Sequence, residues 1–144
     1  GSVAVETGKQ ILLVEDEPAI YEVQQRILSE SPFFHKVDIA VDGKTAKRLF
    51  AEKGYDMVSL DYLLTGSENG MDVYDFIRKQ DPWVPILFIS GNLEFIESIK
   101  SLKQKDEYLD HIAKPCRNLE YVNRVNRFLK KGILSNRSSP ESGG

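Results

Sequence analysis

The sequence alternates, five times in succession, between a short apolar run and a longer stretch whose apolar residues recur at helical spacing. The apolar runs have the length and residue types of β-strands and occupy residues 10–14, 37–41, 56–61, 84–89 and 109–113. The helical stretches follow them at residues 18–30, 45–53, 71–79, 93–103 and 118–131. Strict alternation of this kind predicts an α/β fold in which parallel strands are joined by right-handed helical crossovers.

The character of each run predicts its place in the sheet. Residues 10–14, 56–61 and 84–89 are the most apolar and belong in the centre, whereas residues 37–41 alternate apolar and polar side chains, as an edge strand does. Strand order 2-1-3-4-5 satisfies this pattern and gives a three-layer sandwich with helices on both faces of the sheet. In a sheet of this order the site lies at the carboxyl ends of the strands, where the order reverses.

Polar side chains follow four of the predicted strands at that edge. Glu15 and Asp16 come directly after the first strand, and Asp61 ends the third. If these strands are neighbours, three carboxyl groups meet there, and such a cluster repels itself and favours a divalent cation. Ser90 follows the fourth strand and Lys114 the fifth. A hard cation beside an exposed carboxylate is suited to handling a phosphoryl group.

The length of 144 residues is that of one domain, which we assign to residues 9–131. Residues 1–8 begin with Gly-Ser and are expected to be a tag or a disordered lead. Residues 132–144 are rich in Ser and Gly and are expected to form a flexible tail, too short for a DNA-binding module.

Charge and cysteine content narrow the expected partners and compartment. The net charge of −3 argues against direct contact with nucleic acid or an anionic membrane. No apolar stretch approaches the ~18 residues that a membrane span requires. Cys116 is the single cysteine, so no internal disulfide can form, and we expect a reducing, cytoplasmic location.

Four short motifs together carry a family resemblance. They are Val14-Glu15-Asp16-Glu17-Pro18, Ser59-Leu60-Asp61, Ile89-Ser90-Gly91 and Ala113-Lys114-Pro115-Cys116. In this order, each at the end of its own strand, they resemble the receiver domain of bacterial two-component response regulators, which has a flavodoxin-like fold. The resemblance covers most of the chain, from residue 8 to residue 131.

The resemblance implies a metal site and a phosphoacceptor. It makes Asp61 the carboxylate that accepts the phosphoryl group, as an acyl phosphate. It also implies that Mg²⁺ is bound directly by Asp16, Asp61 and the backbone carbonyl of Leu63, and through water by Glu15. Oxygen ligands with retained waters are the environment that Mg²⁺ prefers.

The resemblance further implies residues that hold the phosphoryl group and report its arrival. Lys114 would hold phosphoryl oxygens as a point charge, followed by a cis bond to Pro115, and Ser90 would donate a hydrogen bond. Ser90 would then move inward and change the face formed by the last two helices and the last strand. His111 stands at the family's aromatic switch position; its alternative is a half-exposed strand histidine. The alternative for Ser90 is a helix N-cap, alone or in addition.

The loop after Asp61 departs from the family pattern. The proline that the family usually has four residues after the phosphoacceptor is replaced by Thr65, and Gly70 arrives about one residue late. The geometry of this loop is therefore not fixed by the resemblance, although the acid cluster is unaffected.

The predicted function is that of a signalling receiver rather than an enzyme. It accepts a phosphoryl group from a histidine kinase or a histidine phosphotransfer protein, with Mg²⁺, and signals through a conformational switch. An alternative is a receiver-like protein-interaction domain that is not phosphorylated. An aspartate-nucleophile phosphatase is disfavoured, because it needs a second aspartate two residues after the nucleophile, where this chain has Leu63.

The sequence leaves the downstream partner open. The chain is either a stand-alone receiver acting on a protein target or part of a longer protein with an output domain. The last helical stretch has an apolar arc wider than one sheet face needs, which is compatible with a homodimer.

Overall fold

Five parallel strands form one sheet in the order β2-β1-β3-β4-β5, as the sequence predicts. The structure is a computed structural model that describes residues 5–138 of the chain. The strands are β1 (Gln10–Val14), β2 (Lys36–Ala40), β3 (Met57–Asp61), β4 (Ile86–Ser90) and β5 (Leu109–Ala113). The helices are α1 (Pro18–Ser29), α2 (Gly43–Glu52), α3 (Gly70–Gln80), α4 (Leu93–Lys103) and α5 (Asn118–Ser138).

The sheet separates two hydrophobic cores, because successive side chains of a strand point to opposite faces. In β1, Leu12 and Val14 contribute to the core beneath α2, α3 and α4. Ile11 and Leu13 contribute to the other core, which α1 and α5 cover. All four side chains are fully buried or nearly so. The predicted three-layer α/β sandwich is therefore confirmed, and every central strand is apolar because both of its faces are covered.

The largest difference from the sequence prediction is at the last helix. The tail predicted to be flexible from residue 132 is helical as far as Ser138, and residues 139–144 and 1–4 lie outside the described part of the chain. Gly132 is the first residue of the segment that was predicted to be flexible. In the structure Gly132 lies against the Pro85 ring, where a Cβ atom would come within 2.6 Å of Pro85 Cγ. This glycine therefore serves close packing rather than helix termination.

Gly8, the last residue of the N-terminal segment that was predicted to be a tag or disordered, is hydrogen-bonded to the domain. The Gly8 N–H donates to the carbonyl of Phe33 at 3.0 Å, in the connection between α1 and β2. No helix within residues 5–138 is both long enough and apolar enough to cross a lipid bilayer.

A half-buried ion pair clamps the connection between α4 and β5 to α3. The Arg78 guanidinium donates to Asp106 at 2.7 Å and to the Tyr108 carbonyl at 2.9 Å, and Tyr74 donates its hydroxyl to Asp106 as well. Burial alone would raise the pKa of Asp106, but the hydrogen bonds from Arg78 and Tyr74 outweigh it and hold the pKa below its ordinary value. The carboxy-terminal end of α4 is thus fixed to the body of the domain.

A buried histidine joins the start of β1 to α5. The Nδ1 atom of His35 accepts the Lys9 backbone N–H at 3.1 Å, and its Nε2 atom lies 3.2 Å from the Asn126 side-chain oxygen. Because Nδ1 accepts, the proton of the neutral ring belongs on Nε2, where it can be donated to Asn126. Burial is the main cause that lowers the pKa of His35 below its ordinary value.

We expect His35 to make stability depend on pH. As the pH falls through about 6.5, the unfolded state takes up a proton that the folded state refuses, so the parent protein loses stability. The free-energy advantage of the parent over His35→Gln should therefore shrink between about pH 7.5 and about pH 5.5. Urea denaturation of both proteins at both pH values measures it. A difference that stays constant with pH would show that His35 does not titrate in this way.

The loop between β3 and α3 closes tightly on the end of β3. The Gly70 N–H donates to the Tyr62 carbonyl at 2.8 Å. A Cβ atom on Gly70 would lie 2.6 Å from the Asp61 carbonyl oxygen and 2.9 Å from the Phe88 ring. The glycine therefore closes the loop despite its late position in the sequence, because no side chain fits there.

We predict that Gly70→Ala destabilises the protein, because the added methyl group meets backbone atoms that cannot move aside. The free energy of unfolding should fall by about 1–3 kcal/mol. Gly54→Ala is the matched control, since a Cβ atom there meets nothing within 4 Å and Gly54 has no positive φ. That variant should be neutral or more stable by up to ~1 kcal/mol. Equal stability of the two variants in thermal or urea unfolding would contradict the packing argument.

Candidate functional site

The parallel register brings the ends of four strands level at one edge of the sheet. Val14 lies opposite Leu60, Asp61 opposite Ile89, and Ser90 opposite Ala113. An open cleft of about 720 Å³ lies over this edge. Its lining includes most of the site residues predicted from the sequence: Asp16, Asp61, Leu63, Ser90 and Lys114.

Three carboxyl groups meet at this cleft, as the sequence predicts. One oxygen from each of Glu15, Asp16 and Asp61 lies within 4.8 Å of the others. Glu15 and Asp61 are only 3% and 5% exposed, whereas Asp16 is half-buried. Burial is the main cause that raises the pKa of Glu15 to about 7, and the neighbouring charge of Asp61 raises it further.

Lys114 supplies the positive charge that faces this cluster. Its Nζ atom lies 3.1 Å from Asp61 Oδ2 and 3.4 Å from Glu15 Oε1. Burial alone would lower the pKa of Lys114, but the charges of Asp61 and Glu15 outweigh it and raise the pKa above its ordinary value. The Lys114 backbone N–H donates to the Ser90 carbonyl at 2.9 Å, and the bond to Pro115 is cis, as expected. The lysine is therefore held in its charged form at the cluster.

Ser90 is buried at the end of β4 and connects the cleft to α4. Its hydroxyl oxygen accepts the Asn92 backbone N–H at 3.0 Å. The hydroxyl proton has no acceptor among the described residues. Asn92, not Ser90, is the N-cap of α4, because its side chain accepts the Phe95 N–H at 2.9 Å. The alternative that Ser90 caps this helix is therefore wrong.

The residue after Asp61 links the same cleft to α4 by aromatic stacking. The rings of Tyr62 and Phe95 are stacked with their centroids 3.9 Å apart, and Phe95 meets Phe88 edge-on at 4.9 Å. Leu63 follows, with its N–H 3.3 Å from Asp61 Oδ1 and its side chain 62% exposed. The role of its carbonyl as a metal ligand stays a prediction.

Thr65 contacts the acid cluster, and this contact was not among the predictions from the sequence. Its hydroxyl group donates to Asp16 Oδ2. The two residues are 49 positions apart in the chain, so no local pattern reveals the contact. The only signal in the sequence was that a threonine replaces the family's usual proline at this position.

His111 lies outside the residues that line the cleft in the described part of the chain. It pairs with Phe88 across the sheet and is half-buried, with Nδ1 3.4 Å from Lys103 Nζ. Lys103 also pairs with Asp110 at 2.8 Å, and Asp110 pairs with Arg124 of α5 at 3.2 Å. His111 thus belongs to a polar cluster joining α4, β5 and α5, and its role as a switch stays a prediction.

The donor set at the cleft fits a hard divalent cation. The clustered ligand atoms are all carboxylate oxygens, which are the ligands that Mg²⁺ and Ca²⁺ prefer. Lys114 provides one positive charge against up to three negative charges, so the cluster retains an excess of negative charge. A bound cation would relieve the repulsion that burial intensifies.

Comparisons of this chain with a family model and with known proteins all indicate the same family. Residues 11–126 match the model of the response regulator receiver domain. The transcriptional regulatory protein TcrA of Mycobacterium tuberculosis is 30% identical over 137 residues, which cover 95% of this chain and 52% of TcrA. The alkaline phosphatase synthesis transcriptional regulatory protein SphR of Synechococcus elongatus is also 30% identical, over 89% of this chain and 51% of its own length. The chain therefore spans about half the length of these relatives.

A solved structure agrees with the sequence matches. The receiver domain of NtrX from Brucella abortus superposes with a TM-score of 0.71 and 29% identity. The match covers 83% of this chain and 98% of that domain. The described fold is thus that of an entire receiver domain.

Proposed function

The chain belongs to the response regulator receiver domain family of two-component systems, and on that basis we propose that it accepts a phosphoryl group on Asp61. The donor would be a histidine kinase or a histidine phosphotransfer protein. The observation that carries the proposal is the position of Asp61, buried at the cleft floor beside two other carboxyl groups with Lys114 Nζ at 3.1 Å. A lone structural aspartate would not need this surrounding charge.

The chemistry proposed for Asp61 is nucleophilic attack on phosphorus. A carboxylate oxygen forms a new P–O bond while the bond from phosphorus to the donor's imidazole nitrogen breaks, leaving an acyl phosphate on Asp61 and the electron pair on nitrogen. Lys114 pairs with this carboxylate at 3.1 Å, and its ammonium group can turn to the incoming phosphoryl oxygens. The phosphoryl group is already activated on the donor, so the receiver needs only to orient the reacting atoms and to stabilise their charge.

The residues that would hold Mg²⁺ are Asp16 and Asp61 directly, Glu15 through water and Leu63 through its carbonyl. When bound, the cation would offset the repulsion between the carboxylates and the phosphoryl oxygens. The oxygen-only donor set supports this assignment.

The proposed signal travels from the phosphoryl group to α4. The free hydroxyl proton of Ser90 is available for a phosphoryl oxygen, and moving Ser90 would disturb its bond to the Asn92 N–H at the start of α4. Tyr62, stacked on Phe95, joins the phosphorylated strand to the same helix. The face formed by α4, β5 and α5, including His111, would present the altered surface to a protein target or to an output domain.

Labelling with acetyl phosphate tests the phosphoacceptor. The parent protein should take up one phosphoryl group in the presence of Mg²⁺ and almost none in EDTA, and Asp61→Asn should take up none, because an amide is not a nucleophile. Intact-mass and peptide spectra measure stoichiometry and position. Asp75→Asn is the control, since Asp75 lies on the exposed side of α3. A parent that is not labelled would indicate a receiver-like interaction domain, and full labelling of Asp61→Asn would exclude Asp61.

Ser90→Ala tests the switch separately from the chemistry. The variant should still be labelled on Asp61, because the nucleophile, the acids and Lys114 remain. Loss of a hydrogen bond to a charged acceptor removes roughly 1.5–3 kcal/mol, enough to shift a two-state equilibrium by about tenfold to a hundredfold. Amide exchange over residues 92–113, with and without beryllofluoride as a phosphoryl mimic, measures the response. A response equal to that of the parent would exclude Ser90 as the connecting residue.

A further inference from the structure

We propose that Thr65 is a positioning residue that orients the Asp16 carboxylate for the divalent cation; this inference rests on the proposed function. The Thr65 hydroxyl donates to Asp16 Oδ2, and it is the sole hydrogen-bond partner of that carboxylate among the residues whose side chains the structure describes. With Oδ2 held, Oδ1 remains for the cation. Metal-binding carboxylates are commonly held by such outer hydrogen bonds, which fix their orientation.

The strand order explains how a loop residue reaches Asp16. Strand β1 lies between β2 and β3, but it ends at Val14 and the chain turns away into α1. Beyond that point the chains that follow β2 and β3 come together, and Asp42 and Thr65 form a parallel bridge. The loop after β3 therefore passes across the end of β1, where Asp16 is located.

The same loop is fastened to α2 by a partly buried ion pair. Lys47 Nζ lies 2.6 Å from Glu68 Oε2, and the two side chains are only 27% and 23% exposed. Glu68 also packs on Gly43 so closely that a Cβ atom there would lie 2.8 Å from Glu68 Cβ. Asp42 is itself fixed, because its side chain accepts the Thr45 N–H at 2.8 Å. The Thr65 hydroxyl is thus presented from a loop that is anchored at both ends, by these contacts and by Gly70.

The orientation of Asp16 needs such a support. Asp16 is the half-buried member of the cluster, and it faces two nearly buried acids, Glu15 and Asp61. Lys114 pairs with those two acids and not with Asp16. Without Thr65, repulsion would favour rotation of the Asp16 carboxylate toward solvent. A proline at position 65, as in the family pattern, has no side-chain donor, so this support is a property of this chain.

Direct Mg²⁺ titration of the unphosphorylated protein tests the proposal. Thr65→Val keeps the shape of the side chain but removes the donor, and we expect its Mg²⁺ dissociation constant to rise by about tenfold or more. Thr65→Ser keeps the hydroxyl group and should bind nearly as the parent does. Asp16→Asn, which loses the ligand charge itself, should bind more weakly than either. Isothermal titration calorimetry measures the affinities, and the Mg²⁺-induced rise in melting temperature gives a second readout.

Glu68→Gln provides a variant that leaves both Thr65 and Asp16 in place. The substitution weakens the ion pair with Lys47 that anchors the loop, so Mg²⁺ binding should weaken severalfold. This variant replaces Thr65→Val in the test if Thr65→Val does not fold. Unchanged or tighter binding by folded Thr65→Val would overturn the proposal, since tighter binding would mean that the hydroxyl group competes with the cation. If Thr65→Val does not fold, unchanged binding by Glu68→Gln would overturn it.

Failure of the proposed function gives a different result. A parent protein that neither binds Mg²⁺ nor becomes labelled on Asp61 would overturn the receiver chemistry and this inference together. A parent that does both, with Thr65→Val binding Mg²⁺ equally well, would overturn the role of Thr65 alone.

Discussion

Repulsion among carboxyl groups that the fold forces together is the constraint on which the rest of this structure depends. A parallel sheet places the ends of its strands at one edge, and here that edge carries Glu15, Asp16 and Asp61. Two of these acids are almost fully buried, where the charged form is least tolerated. Two features reduce this repulsion: Lys114 supplies a positive charge, and the pKa of Glu15 is raised to about 7. The negative charge that remains is available to bind a cation. The hydrophobic layers hold this arrangement in place, because each central strand is covered on both faces.

The contacts around the acids divide into two groups. On one side, Thr65 and its loop connect Asp16 to α2, through the bridge to Asp42 and the ion pair of Glu68. On the other side, Ser90 and Tyr62 connect the edge to the first turn of α4. The first group is suited to holding ligands still, because it rests on close packing and partly buried charge. The second is suited to responding, because it depends on one neutral hydrogen bond and one ring contact.

The topology could be predicted from the sequence because alternating periodicities are local and the handedness of crossovers is general. The strand ends then brought Asp61, Ser90 and Lys114 to one edge, and the structure agrees. The course of α5, the cap of α4 and the role of Thr65 could not be predicted, because they depend on contacts or strand ends that local sequence patterns do not reveal. Residue 132 begins a Ser- and Gly-rich segment, yet α5 continues to Ser138 and Gly132 packs against the distant Pro85. The cap of α4 belongs to Asn92 because β4 runs one residue further than predicted, through Ser90. Thr65 was visible as a departure from a pattern, but its partner was not.

The clamp between Arg78 and Asp106 has a consequence for how α4 can move. The clamp lies directly beyond the carboxy-terminal end of the helix, whereas Ser90 and Tyr62 contact its amino-terminal end. If phosphorylation displaced Ser90, the helix would pivot about its fixed end, with the greatest displacement at the turn nearest the cleft and the smallest near Asp106. Leu93, which is 77% exposed on that first turn, would sweep through the longest arc. The clamp would thus convert a small shift at the sheet edge into a directed swing of one exposed leucine.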